Sequence, residues 1–176
     1  MSGAAGGPDA ATGGPDAVHA TVKRGTVAAL AETASALALA AWVGGTVALG
    51  AYAARITFRD LPRGLAAPTM SSIFRSFDGL VIACLVVLTA ATVARLCAVG
   101  VRGRADRIAL TAAAALLVLG ALDVAYIHPQ IEQLFLEGRS LEPAFLALHK
   151  LSSRSANLEA LCALLVIGGH AFGRKS

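Results

Sequence analysis

Charge is scarce in this chain of 176 residues: Asp, Glu, Lys and Arg together make up 15%. A soluble domain carries about a quarter, so the deficit excludes a surface wetted on all sides. Aromatic residues are also few, 5% with a single tryptophan, and no segment interleaves them with basic residues as single-strand binders require. Nucleic acid is therefore not an expected partner. Cysteine occurs three times, at Cys84, Cys97 and Cys162, without a CxxC pair. That points to small hydrophobes rather than a disulfide framework or zinc site. GxSxG, HExxH, a P-loop and a GxGxxG after a strand are all missing, so no catalytic residue is assigned and the chain is not read as an enzyme.

What remains is apolar. Hydrophobic residues reach 56% and the mean hydropathy is +0.69. The net charge of +4 comes from 15 Lys and Arg against 11 Asp and Glu, and the excess falls at the ends of apolar runs, as in membrane proteins.

Residues 1–25 hold Gly, Ala, Pro and Asp, with GGPDA occurring twice, and are expected to form a disordered tail. Lys23 and Arg24 arrive too late, and the apolar run behind them is too long, for a cleaved secretion signal. A membrane domain is expected over residues 26–173. Its apolar runs predict helices at 27–54, 73–99, 108–128 and 148–172, the third stopped by His128 and Pro129, each long enough for the roughly 20 residues of a crossing. The expected fold class is all-α, a four-helix transmembrane bundle with a disordered N-terminal tail. Residues 130–147 read as a short interfacial helix and a turn, broken at Gly138 and Pro143. Lys23, Arg24, Arg102, Arg104, Arg107, Arg174 and Lys175 fall on one side of such a bundle and Arg59, Arg63, Arg139 and Lys150 on the other. This places both termini in the cytoplasm and the protein in the plasma (inner) membrane.

Ionisable side chains at membrane depth cost about 2.5–3.5 kcal/mol each on insertion scales, so each asks for a partner or a wet cavity. Arg55, Asp78, Asp123, His149 and Arg154 lie near the presumed outer side, with Tyr126, His128 and Asn157 in reach. Two readings stay open. In one, Arg55, Arg75 and Arg154 snorkel to headgroups while Asp78 and Asp123 pair with them. In the other, the cluster is a ligand or ion site built from Asp78, Asp123, His149, Ser153 and Asn157, with Arg55, Arg154 and Glu159 as structural polar residues. His149, Ser152, Ser153, Ala156, Ala160 and Ile167 share a helical stripe, which predicts that His149, Ser153 and Asn157 face the bundle interior beside Asp123 and Asp78. Glu159, roughly opposite Asn157, must then face another helix or carry a proton. Glu32, near the end of its helix, can reach water. Ala40, Gly44 and Ala48 form a small-xxx-small face beside Gly45, suited to packing within the bundle or between copies of the chain. His128 and His149 are candidate haem or metal ligands, although no cofactor is called for.

The run from Trp42 through Leu80 carries a resemblance. Trp42, Gly44 and Gly45, then Phe58, Arg59, Leu61, Pro62 and Arg63, then Phe74 and Phe77 resemble the first two helices and their loop in the bacterial domain-of-unknown-function family 4149, whose eukaryotic relatives are the transmembrane protein 205 group. Pro129, and Phe145, Leu148, His149, Ser152 and Asn157, are similar to its later elements. Where the family has a proline near the end of the first helix this chain reads Ala53, Ala54, Arg55, and where it has Phe-Pro-x-Tyr this chain reads Phe74, Arg75, Ser76, Phe77. Its eukaryotic members have been linked to drug resistance and secretion without an established reaction, so the resemblance implies architecture more than activity. The expected function is accordingly a structural or accessory integral membrane protein, with the lipid bilayer and a second copy as partners. The alternative is a small-solute or metal transporter, or a haem-binding membrane protein, using the polar cluster in the outer half of the bundle.

Overall fold

The computed structural model describes residues 15–101 and 103–173. Every element among them is helical: α1 (Pro15–Val47), α2 (Ala54–Asp60), α3 (Arg63–Val99), α4 (Arg104–Leu122), α5 (His128–Leu136) and α6 (Pro143–Gly173). A π-helical stretch, Ala48–Ala53, joins α1 to α2, and another, Asp123–Ile127, joins α4 to α5. Residues 1–14 of the expected tail lie outside the described residues, while the rest of it is helix, so α1 starts well before residue 27.

Among the described residues, three helical runs are long and apolar enough to cross a membrane: His19–Asp60, Gly64–Val99 and Arg104–Leu136. At 1.5 Å per residue the first extends about 63 Å, twice the roughly 30 Å of a bilayer core, so its charged ends project beyond it. α6 matches them in length with 31 residues but is less apolar, because Ser152, Ser153, Arg154, Ser155, Asn157 and Glu159 crowd its first half.

The third run passes through Pro129 instead of ending there. Proline lacks an N–H and crowds the carbonyl four residues back; here it stands in the first turn of α5, and the preceding turn widens into the π-helical stretch. The second helix also begins earlier than expected, at Arg63, and carries Pro68 inside it. Tight turns separate the helices. Gly100 ends α3 with φ 66°, and Gly138 follows α5 with φ 73°, conformations in which a Cβ would be strained.

α1 packs along α3 and α4 along α6, and lesser contacts of α3 with α4 and of α1 with α6 close a four-helix ring. The directions alternate, since late residues of one helix meet early residues of the next, as Arg95 meets Glu32 and Asp106. Small residues let the backbones approach: a Cβ placed on Gly169 would lie 2.6 Å from the Ala109 Cβ and 3.0 Å from the Ala105 carbonyl oxygen. The core gathers Leu39, Trp42, Cys84, Leu88, Leu116 and Val166 with several alanines.

Polarity is inverted relative to a water-soluble fold. Glu32, Ser35, Asp106, Asp123, Ser155 and Glu159 are buried, while Leu30, Leu37, Val86, Val118, Leu158 and Leu164 are exposed. Apolar perimeters of this extent are not tolerated in water and are what a hydrocarbon solvent requires.

Candidate functional site

Two layers of ionisable side chains lie inside the ring. In the first, Arg95 of α3 donates from Nε to Glu32 Oε1 of α1 at 3.1 Å and from Nη2 to Asp106 Oδ1 of α4 at 2.5 Å. All three are largely buried, Arg95 being 12% exposed at its side chain. A cavity of about 20 Å³ beside them is lined by Ser35, Thr92, Arg95, Asp106 and His170, room for one water molecule. One guanidinium thus ties three helices, with His170 of the fourth alongside.

The second layer sits further along the ring, about 15 Å away along α1 and about 25 Å along α3 at helical rise. Asp123, 5% exposed, faces Ser155 and Glu159 of α6. Glu159, also 5% exposed, stands beside the Trp42 indole of α1. Beyond them, His128 Nδ1 donates to Asp78 Oδ1 of α3 at 2.7 Å, and the Ser152 hydroxyl stands 3.4 Å from His128 Nε2. Asp78 and His128 are half-buried. His128 is near enough to interact electrostatically with Asp123 and Glu159. Further towards the α5 end, Glu132 pairs with Arg75 and accepts from Ser71 at 3.2 Å. Between the two layers Leu39, Leu88, Leu116 and Val166 are each exposed by less than 2% and fill the ring with hydrocarbon.

The structure thus brings Asp78, Asp123 and Glu159 together. It does not bring His149, Ser153 and Asn157 to them: these three are exposed, and the inward stripe of α6 runs through Ser152, Ser155, Glu159, Ala163 and Val166. The correction has an electrostatic cause. A carboxyl costs more in hydrocarbon than an amide or hydroxyl, so Glu159 sets the inward face, and Asn157, two residues away, falls about 200° round the helix. His149 instead stacks on Phe145, with ring centroids 6.1 Å apart. Arg55 and Arg154 are exposed, and among the described residues neither forms an ion pair with Asp78 or Asp123; histidine and serine take the place assigned to arginine. Tyr126 is exposed, as are Ala40, Gly44 and Ala48, while Gly45 faces the Phe77 ring. With His149 outside and His128 held by Asp78, the two histidines do not form a facing axial pair. The described residues contain no group of three His, Cys, Asp or Glu able to hold a metal ion.

The Arg95 layer was missed by sequence reasoning. Its signal was one arginine and two acids on three helices near the same end, which a helix-by-helix reading of snorkelling does not compare.

Long apolar helices closed around buried acids define an all-helical architecture compatible with a membrane protein. More narrowly, the chain belongs to the family described as Domain of unknown function (DUF4149), whose profile matches residues 37–140. The match contains Trp42, Asp78, Asp106, Asp123, His128 and Pro129; the Phe145 to Asn157 pattern lies beyond it. No curated protein and no solved structure gives a match.

Proposed function

We propose that the chain is a four-span integral membrane protein of structural or accessory, non-enzymatic role, in which α6 is the fourth crossing. The observation that carries the reading is Glu159, buried inside the ring beside Asp123 and Trp42. The polar residues that lower the hydropathy of α6 include an inward stripe, Ser152, Ser155 and Glu159, whereas Leu158, Leu161 and Leu164 point outward. At 31 residues α6 extends about 46 Å, enough to cross. Both termini then lie on the side of Lys23, Arg24 and the loop after Gly100, the cytoplasmic side of the plasma (inner) membrane by the distribution of basic residues. The bilayer is the principal partner, and the outward Ala40, Gly44 and Ala48 offer a second copy a close approach. Interhelical bonds between buried polar groups fix helix register. A second reading, a site for a small solute or cation, is favoured by Asp123 Oδ1 and Glu159 Oε1, which are buried without a hydrogen-bond partner among the described residues.

Labelling with an impermeant thiol reagent tests the topology, using single cysteines at Ser2, Glu137 or Ser176 in a chain whose own Cys84, Cys97 and Cys162 are replaced by serine or alanine. Four spans place Ser2 and Ser176 on one side and Glu137 on the other. Labelling of Ser176 together with Glu137 would leave three spans and overturn the reading.

A further inference from the structure

The two buried layers differ in how their acids are balanced. Around Arg95 a guanidinium faces both carboxylates. In the central layer three carboxyls, Asp78, Asp123 and Glu159, meet one imidazole, that of His128. The groups facing this layer come from every surrounding element: Trp42 from α1, Asp78 from α3, Asp123 from the π-helical stretch, His128 from α5, and Ser152, Ser155 and Glu159 from α6. Cys84 and Cys162 belong to the adjacent apolar layer, and Arg75 is turned to Glu132 one helical turn further out, largely exposed. No Lys or Arg among the described residues forms an ion pair with the three acids.

Asp123 and Glu159 lie side by side inside the ring, each 5% exposed. Two carboxylates buried together with no guanidinium beside them do not both stay ionised, so the pair holds a proton. Asp123 Oδ1 and Glu159 Oε1 are buried and unpartnered among the described residues, and such oxygens are costly to leave unfilled in hydrocarbon. They are places for a further proton. Access is one-sided: Asp78, His128 and Ser152 lead outward to Glu132 and Arg75 at the α5 end, and the layer of Leu39, Leu88, Leu116 and Val166 closes the other direction.

We propose that Asp123 and Glu159 form a proton-binding site at the centre of the ring, filled and emptied from the α5 end through the Asp78–His128 pair. The site rests on the reading of the chain as a four-span bundle. Holding one proton, the carboxyl pair carries one negative charge. On uptake a proton from hydronium at the α5 end, which leaves as water, passes along the Asp78–His128 pair, an O–H bond forms on the remaining carboxylate, and the carboxyl pair becomes neutral; release runs in reverse. No electron changes hands.

Infrared spectroscopy of the full-length protein in lipid bilayers at neutral pH tests this directly. Exposed carboxyls are ionised there, so the carbonyl stretch of a protonated carboxyl reports the buried pair. In the wild-type chain the band is expected, and it should move to lower frequency on exchange into D2O; its absence overturns the proposal without recourse to any variant. Asp123→Asn and Glu159→Gln, verified as folded by circular dichroism and gel filtration, should each lose it, and an undiminished band in both would place the proton elsewhere. If either variant fails to fold, Asp123→Glu, which keeps a carboxyl, should retain a band at altered frequency, and an unaltered band would overturn the assignment. His128→Asn should slow the D2O shift at least tenfold while leaving the band, and an unchanged rate would overturn the route through His128. Failure of the four-span reading would instead show in the labelling of Ser176, leaving the wild-type band in place.

Discussion

Trp42 sets the distance between α1 and α4, because its indole packs against Gly120, a residue without a side chain. A Cβ on Gly120 would stand 2.6 Å from Trp42 Cζ2 and 3.3 Å from Leu85 Cδ2, and the ring, 2% exposed, is hemmed in on all sides. Gly120→Ala is therefore expected to destabilise the fold by about 1–3 kcal/mol, the usual range for overpacking. Gly44→Ala, where nothing lies within 4 Å, should be neutral or stabilising by up to about 1 kcal/mol, since alanine restricts the unfolded chain more than glycine. Thermal unfolding in mild detergent compares the two; equal shifts would remove Trp42 as the spacer. Residue types alone revealed part of this site. Asp78, Asp123 and Glu159 stand out because acids are rare inside apolar runs, but nothing in a single helix says which tryptophan or serine on another will meet them. On α6 the stripe of small and hydroxylated residues was outweighed by one carboxyl.

At the scale of the element, apolar run length located every long helix but few of its ends. α1 and α3 extend through polar residues on the bilayer flanks, where hydropathy no longer discriminates and backbone hydrogen bonding alone continues the helix. Pro129 was read as a stop, yet its missing N–H is absorbed by the wider turn of Asp123–Ile127. Between α5 and α6 the chain is held by charge. Arg139 donates to Glu142 at 2.7 and 2.8 Å and to Glu137 at 2.8 Å. These bonds hold Glu142 and Glu137 below the ordinary glutamate range, the latter helped by Gln133, and push the guanidinium of Arg139 up. A carboxyl lowered on folding stabilises the folded form above its unfolded value, and loses that contribution as pH falls through the lowered one. The order of this turn is thus expected to persist at neutral pH and to loosen only in acid, below the ordinary range of about 4.3. Because the three side chains are exposed, overall stability should barely follow. Carbon-13 titration of the labelled glutamates checks it: Arg139→Gln should return both to the ordinary range, and unchanged titration would show that the turn is held by something else.

Across the whole molecule, the ring is closed at one end by Arg95. α1 and α3 form one antiparallel pair and α4 and α6 the other, and Arg95 reaches from α3 to Glu32 within its own pair and to Asp106 in the other. In hydrocarbon, apolar side chains give the two pairs little reason to stay together, because lipid tails are equally apolar; interhelical packing and hydrogen bonds must do so. Replacing Arg95 by glutamine would leave the Glu32 and Asp106 carboxylates buried without their guanidinium, and breaking a buried ion pair from one side costs about 3–5 kcal/mol. The triple change Glu32→Gln, Arg95→Gln, Asp106→Asn removes the charges together and should recover most of that loss, since a buried pair is often worth little more than its neutral replacement. Unfolding in mild detergent measures both, and the non-additivity between single and triple variants reports the coupling. A loss below about 0.5 kcal/mol for Arg95→Gln, the range of an ordinary surface substitution, would mean that the Arg95 bridge is not what holds the ring shut.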